Sequence, residues 1–504
     1  MSPVILKPFI NNEYIESKTT SYTEVYDPSL GEVIAKAPRC TRDEVEAAVA
    51  AAQAAYPAWR DTPVLKRAQL FYRLKALIDA HLDELTILVA RENGKNWREA
   101  EGDVLKAREM TELACAMPNM LLGESLMNAS TGYDTMTYRE PLGVFAGIAP
   151  WNFPAMIPMG WMSPLAIICG NTYILKAASP TPMTALRIAD LYREAGFPPG
   201  VINVVTCSRN EAEMLLTHPT IKGITFVGST EVGKHVYATA AGAGKRVQAL
   251  CEAKNHALVM TDADITRSAA GIINSAFGCA GERCMALPVV VAEEPIADKL
   301  VAELVRLAKG LKIGAAYNKD TMLGPVVTPS HFKFVTDWIA KGVEEGAELV
   351  LDGRGVKVAG YENGFFIGPT IFDKVTPEMS IGQREVFGPV LCIKRVKSFE
   401  EGLEQMNANP FGNGSVIFTS SGYFAREFAL RTDGGMVGVN VGIPVPVGMF
   451  SFTGHKQSFF GDLHCHGKDS FRFFTETKTV TTRWFDEEEK KNVVVDTWDG
   501  SMNK

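Results

Sequence analysis

Residues 281–284 read Gly-Glu-Arg-Cys and follow the stretch SAFGCA. A thiol beside an arginine, just past a helical segment, suits a nucleophile. Nearby positive charge and helix-end amides lower a thiol pKa, so Cys284 is expected to ionise readily; the plain alternative is one more packing cysteine. A second cluster is Pro150-Trp151-Asn152-Phe153-Pro154. An asparagine set between an aromatic residue and a Phe-Pro turn is held still, and a fixed side-chain amide is what an oxyanion needs. Otherwise it is a loop asparagine satisfying its own backbone. A third is Phe226-Val227-Gly228-Ser229-Thr230-Glu231-Val232-Gly233, after a strand-like run. Small residues between strand and helix let backbone amides approach an anion such as a pyrophosphate, although the pattern is not GxGxxG. Lys176, at the end of NTYILK, reaches toward a phosphate or a ribose, and Glu385, in the turn EVFGP, is an acid suited to ribose hydroxyls or simply exposed to solvent.

The elements that must hold these residues follow from periodicity. Residues 8–37 read as short strands and turns, and 42–91 and 97–120 as helices, with apolar residues at 3–4 spacing. Thr41, with Glu44 three residues on, offers a helix cap. Then LGVFAGIAP, NTYILKAA, VINVVT, KGITFVGS and HALVMTD alternate with helical segments, which implies a parallel sheet covered by helices. LPVVVAEE, LVLDG, FFIGPTIFDKV, PVLCIKRV, GSVIFTS and GMVGVNV form a second such set. TGYDTMTYREP alternates and is rich in Thr and Tyr, which suggests an exposed hairpin over 131–138 with KTVTTRW as its pairing partner.

At 504 residues, the chain is long enough for two or three domains. Hydrophobic residues at 46% and charged residues at 22% exclude a disordered or collagen-like chain. A formal charge of -7 lacks the footprint of a general nucleic-acid binder. Nine cysteines without a CxxC pair suit reduced thiols and a cytoplasmic location. No run of 18 apolar residues announces a membrane span. The run DEEEKK near the C-terminus reads as solvated, and His464-Cys465-His466 lacks the further ligands a metal site needs, so no metal is expected.

Taken in order, WNFP, the Lys of NTYILK, FVGSTEVG, GERC, EVFGP and the stretch around Asn440 resemble the aldehyde dehydrogenase superfamily over about residues 8–484. KRVQ with AKNH, GERCMAL, IPVPVGMFSFTG and TETKTVTTRW are most like its CoA-acylating methylmalonate-semialdehyde dehydrogenase branch. The resemblance implies an α/β fold with two Rossmann-like parallel-sheet domains and a small β oligomerisation arm. The dinucleotide-binding domain is expected over 1–124 and 144–253, the catalytic domain over 254–445, and the arm over 125–143 and 470–490. It makes Cys284 the nucleophile and Asn152 the oxyanion donor. Ala149, Trp151, Lys176, Ser179, Gly228, Ser229, Glu385 and Phe387 match cofactor-binding positions. Arg283, with Lys106 in a helix behind it, would receive the substrate's anionic group; Lys106 stands where a second Arg is expected, and Arg108 lies on the other side of that helix. The cleft around Arg283, Lys106 and Lys176 is therefore expected to be positive. The activity implied is oxidation of malonate or methylmalonate semialdehyde to acetyl- or propionyl-CoA with NAD, CoA as co-substrate and loss of CO2, by a homo-oligomer, dimer or tetramer.

Several departures bear on that activity. The superfamily's general base falls on Leu250, which cannot activate water. Deacylation by CoA removes that need, while Glu252 is the nearby acid that would serve a hydrolytic NAD(P)-dependent dehydrogenase of another anionic aldehyde, a sulfonated one for instance. A catalytically silent binding member is the third reading, against which Cys284 and Asn152 argue. The acid that normally repels a 2′-phosphate is Ser179, which opens the cofactor site to NADP. The segment from Asn152 to Lys176 is one residue longer than the pattern, around Met159-Gly160-Trp161, and His455, His464 and His466 stand where other residues are expected.

Overall fold

A computed structural model describes residues 2–488, 490 and 491. Glu489, inside the expected arm segment and the DEEEKK run, lies outside the described residues. Of five sheets among the described residues, two join Val4–Ile5, Glu32–Pro38 and Tyr22–Asp27, and Phe411–Gly412 with His455–Lys456; the other three organise the site. The first has the order Phe459–Phe460, Arg246–Leu250, Ile221–Val227, Val144–Ile148, Thr172–Lys176, Ile202–Val205, Phe9–Ile10, Glu13–Tyr14. Its five central strands are parallel and its outer ones antiparallel. Alternate residues feed two cores: Val144 and Ala146 pack on one face and Phe145 on the other. Burial on both faces explains why these strands read as unbroken apolar runs.

The second sheet runs Glu348–Leu351, Thr370–Asp373, Val390–Val396, Val289–Glu293, His256–Val259, Gly414–Phe418, Met436–Val439, parallel except for its first edge strand. Here the structure corrects the sequence reading. The strand rhythm groups His256–Val259 with the first set, although the expected catalytic domain begins at 254, and it sits inside the second sheet. The fifth parallel strand of the first sheet is Arg246–Leu250 instead. Headed by Lys245-Arg246 and carrying Gln248, it lacks the apolar run that marks its neighbours.

The third sheet joins Ser125–Ser130, Tyr133–Pro141 and Thr475–Arg483, all antiparallel. The pairing expected from alternation is present, with Thr479 opposite Thr137. The cap at Thr41 forms a full capping box: its side chain accepts from the Glu44 amide, and Glu44 accepts from the Thr41 amide. The segment around Gly160 forms a π-helical turn, Ile157–Met162, leading into the helix Ser163–Ile168. Such wide turns gather at functional sites. Among the described residues, no helix is long and apolar enough to cross a membrane.

Candidate active site

Glu385 and Phe387 lie in the turn before Val390–Val396 of the second sheet, while the parallel strands of the first sheet end together at Ile148, Lys176, Val205, Val227 and Leu250, and their ends and following turns carry Ala149, Trp151, Lys176, Ser179, Gly228 and Ser229. This is the edge where open α/β sheets bind ligands. The Ala149 amide donates to the Lys176 carbonyl at 3.1 Å, which locks the ends of two neighbouring strands together. The Lys176 amine is buried, its pKa drawn down by that burial. Ser229 precedes the helix Thr230–Gly242, and the Gly228 amide donates to the Leu250 carbonyl at 3.1 Å. A carboxylate already occupies the start of this helix: Glu252 Oε2 accepts from the Thr230 amide at 3.0 Å. The sequence offered Glu252 as a base toward Cys284; the structure turns it to a helix N-terminus, where backbone amides favour negative charge.

Asn152 is 4% exposed, and its Nδ2 donates to the Glu282 carbonyl at 3.0 Å, within the GERC segment. Its position is fixed by groups the sequence reading missed. The Asn152 carbonyl accepts from the Lys95 ammonium. Lys95 pairs with buried Asp103 at 3.2 Å and lies 3.7 Å from the Phe153 ring centroid. Asp103 Oδ1 accepts from the Met156 amide at 2.7 Å. The Trp151 carbonyl accepts from Asn93 Nδ2 and Thr181 Oγ1, each at 3.0 Å. A buried ion pair such as Lys95–Asp103 has no periodic signature; NGKNW and GDV look like ordinary polar residues at a helix start.

Cys284 is half-buried, while the other eight cysteines are buried and all nine are free thiols. Its carbonyl accepts from Asn255 Nδ2 at 2.8 Å and Asn413 Nδ2 at 3.1 Å, so the nucleophile's backbone is clamped by two asparagines absent from the sequence reading. Asn255 lay inside the quoted AKNH motif, the one signal that pointed to it. The approach is strained: Cys279 and Ala280 adopt φ of 50° and 52°, unusual for residues with a Cβ. Gly281 follows at φ +74°, where a Cβ would stand 2.0 Å from the Gly388 carbonyl oxygen. Only glycine lets the Cys284 loop lie against the turn that carries Glu385.

The expectation of a readily ionised thiol is overturned. Burial, followed by the Glu385 carboxylate, pushes the Cys284 pKa up to about 12, and Arg283 offsets them only weakly. Glu385, whose Oε1 accepts from the Ala253 amide at 3.2 Å, is itself pushed up to about 8, by burial and then by Glu252. Glu282 is buried, and desolvation pushes its carboxyl well above the usual carboxylate range; its Oε1 accepts from the Val327 amide at 3.0 Å and lies 3.6 Å from His331. Trp151 and Phe387, 236 positions apart, meet edge to face at 5.4 Å, with His331 5.2 Å from Trp151 and donating through Nε2 to the Phe387 carbonyl at 2.7 Å.

The two expected substrate cations have internal partners. Arg283 reaches Glu99 at 3.2 Å, Cys279 Sγ at 3.1 Å and the Asn274 carbonyl at 3.3 Å, tying down the strained turn. Lys106 donates to both Glu109 oxygens at 2.9 Å, and Glu109 accepts from the Gly448 amide at 2.7 Å, which docks the 443–450 loop on this helix. Arg108 faces away, paired with Asp79 at 3.1 Å. The positive cleft expected from Arg283, Lys106 and Lys176 is therefore largely neutralised by Glu99 and Glu109. The histidines do not converge either. His464 stacks on Phe459 at 4.1 Å, Cys465 Sγ donates to Gln248 Oε1 at 3.1 Å, and His466 packs on Trp161 at 4.8 Å. Among the described residues no group of three or more His, Cys, Asp or Glu is gathered to hold a metal.

A half-buried thiol backed by a fixed amide, beside an edge built for a dinucleotide, can add to a carbonyl and pass on a hydride. Known proteins carry the same arrangement of chain. The aldehyde dehydrogenase family model matches residues 14–480. A malonate-semialdehyde dehydrogenase of Geobacillus kaustophilus is 47% identical over 479 residues, 95% of this chain and 99% of the relative. One of Pseudomonas aeruginosa is 47% identical over 480 residues, 95% of this chain and 96% of the relative. The crystal structure of a methylmalonate-semialdehyde dehydrogenase from Oceanimonas doudoroffii superposes with a TM-score of 0.94 at 42% identity, covering 97% of this chain and all of that one. A Sinorhizobium meliloti protein solved in complex with NAD gives 0.94 and 42%, covering 96% and 99%. The chain belongs to the aldehyde dehydrogenase family.

Proposed function

We propose that this enzyme oxidises malonate or methylmalonate semialdehyde, with NAD and CoA, to acetyl- or propionyl-CoA and CO2. The observation that carries the acyl acceptor is Leu250. An apolar, buried side chain fills the place of the water-activating acid, and the one substitute, Glu252, is engaged at the Thr230 amide. Near-full-length identity of 47% to malonate-semialdehyde dehydrogenases supports the substrate class.

The residues at the first sheet's edge fit a dinucleotide. Lys176 offers a buried amine, Glu385 a carboxylate for ribose hydroxyls, and the seat of Glu252 shows that the helix start at Thr230 takes an anionic oxygen. Ala149, Trp151, Ser179, Gly228, Ser229 and Phe387 complete the set. When bound, NAD supplies the hydride acceptor. Ser179 puts no carboxylate near Lys176, which lets NADP compete.

Cys284 adds as thiolate to the aldehyde carbon. The Asn152 amide and the Cys284 N–H stabilise the oxyanion, and loss of hydride leaves a thioacyl enzyme. Its carbonyl accepts the electron pair released as CO2 departs, and a proton completes the acetyl or propionyl group. The CoA thiol then takes the acyl group and returns the Cys284 thiol. The exposed strand Ser125–Ser130, with Leu126 63% and Met127 81% exposed, is the edge through which copies of the chain assemble as a dimer or tetramer. Nine free thiols, eight of them buried, fit the cytoplasm. The test is NADH formation from malonate semialdehyde with and without CoA, with identification of the product. Acetyl-CoA formed only with CoA supports the reading; free acid produced at an undiminished rate without CoA defeats it.

A further inference from the structure

The second sheet holds a cavity of about 480 Å³ on the side covered by the helix Phe399–Asn407. Its wall includes Lys394 and His256 from the strands, Gln405 and Asn409 from the end of that helix, and Arg384 from the turn before Glu385. Lys394 is 6% exposed, and among the described residues its ammonium has neither an ion pair nor a hydrogen bond. Burial lowers its pKa, and the buried ammonium of Lys254, which donates to the Ile381 carbonyl at 3.0 Å, lowers it further. Glu378, whose charge reaches it, is exposed on the surface. Water-poor surroundings tolerate an ammonium only when an anion answers it.

Two more groups on this wall lack partners. His256 is buried, and its Nδ1 faces the Lys254 carbonyl at 2.7 Å, which leaves Nε2 with no partner. Gln405 Oε1 is likewise buried and unpaired. With Nδ1–H committed to a carbonyl, neutral His256 presents a lone pair at Nε2 and asks for a donor. One ligand answers all three: an oxyanion that carries a proton, with bare oxygens for Lys394 and for the Gln405 amide after it flips, and an O–H for His256. Hydrogenphosphate and a singly protonated phosphate ester have that form; sulfate and carboxylate do not. Arg384 stands exposed at the rim as a further cation.

We infer that this cavity is a phosphate-binding site, separate from Cys284 and built on Lys394, His256 and Gln405. Gln457, also on its wall, accepts from Thr230 Oγ1 at 3.3 Å through its carbonyl and from Lys234 Nζ at 3.2 Å through its side chain. The cavity therefore borders the helix start proposed for the dinucleotide. The phosphate can be free, or the terminal 3′-phosphate of CoA reaching in from that side.

The experiment uses the full-length enzyme saturated with NAD, so that the dinucleotide edge is filled. Inorganic phosphate is titrated by calorimetry and thermal melting into wild type, Lys394→Met and Lys394→Gln. Wild type binds phosphate at one site, more tightly than sulfate, and melts higher in its presence. Lys394→Met melts higher than wild type without phosphate, since an unanswered charge is gone, and loses about tenfold or more in phosphate affinity. Comparing KM for CoA and dephospho-CoA then separates the sources. A loss on removing the 3′-phosphate that matches the loss in Lys394→Met assigns the site to CoA; equal KM values in both assign it to free phosphate. A wild type that takes up no phosphate at millimolar concentration, or a Lys394→Met that binds it as well, overturns the inference.

Discussion

In the free enzyme Cys284 is mostly a neutral thiol, because burial and Glu385 hold its pKa near 12. Below that value the thiolate fraction rises tenfold per pH unit. Alkylation of Cys284 by iodoacetamide is therefore expected to accelerate by about tenfold per unit between about pH 7 and 10. Replacing Glu385 by Gln removes the second cause of the shift and speeds alkylation above about pH 8, where the Glu385 carboxyl is ionised; a slower variant there would contradict the electrostatic account. The sign for stability is the reverse of reactivity. A thiol whose folded pKa is raised costs nothing below about pH 8.5, its unfolded value, and destabilises the fold as pH climbs from there toward 12. Asn152→Ala is expected to lower turnover roughly 10²–10³-fold with cofactor affinity preserved, measured as NADH formation beside NAD titration. These two residues were legible in the sequence because GERC and WNFP are contiguous. Their supports were not. Asn255, Asn413, Lys95 and Asp103 act through carbonyls and charges that meet only after the chain has folded.

At the scale of elements, the sharpest constraint is the loop from Cys279 to Cys284 against the Glu385 turn. Gly281→Ala puts a Cβ into the Gly388 carbonyl at a left-handed φ, so the two loops must part. Turnover is expected to fall about 10²-fold, as an ångström of misplacement costs, with circular dichroism unchanged. Normal turnover in that variant would show that the contact does not position the nucleophile. Most helices and strands were readable from period alone, since each buries one stripe or both faces. The strand rhythm alone did not place His256–Val259 in its sheet, because strand order depends on crossovers and leaves no local trace, whereas the domain start at 254 implied by the resemblance put it on the right side. The π-helical turn at Ile157–Met162 left no periodic signal; there Gly160 packs against Ala107, whose Cα would lie 3.0 Å from a Cβ at Gly160. Likewise Arg283 and Lys106 were visible as cations, but Glu99 and Glu109, which engage them, were not.

For the whole molecule, the third sheet presents Leu126 and Met127 to solvent on an open edge. Replacing both by Lys is expected to leave a folded protomer and dissociate the assembly, read as mass by light scattering; an undiminished mass moves the interface elsewhere. The same sheet closes a loop in the chain. Thr475–Arg483 pairs over nine positions with Tyr133–Pro141, Phe459–Phe460 caps the edge of the first sheet beside Arg246–Leu250, and the Arg246 guanidinium donates to the carbonyls of Arg472, Phe473 and Thr475. The first sheet is thus finished by a segment made long after its central strands. At ribosomal speeds of about 5–20 residues per second, roughly 200 residues of synthesis separate Leu250 from its edge strand, on the order of 10–40 s. Throughout that interval the nascent chain carries an open sheet edge, a natural docking point for a chaperone, and a message cut short before residue 459 yields a product that cannot close it.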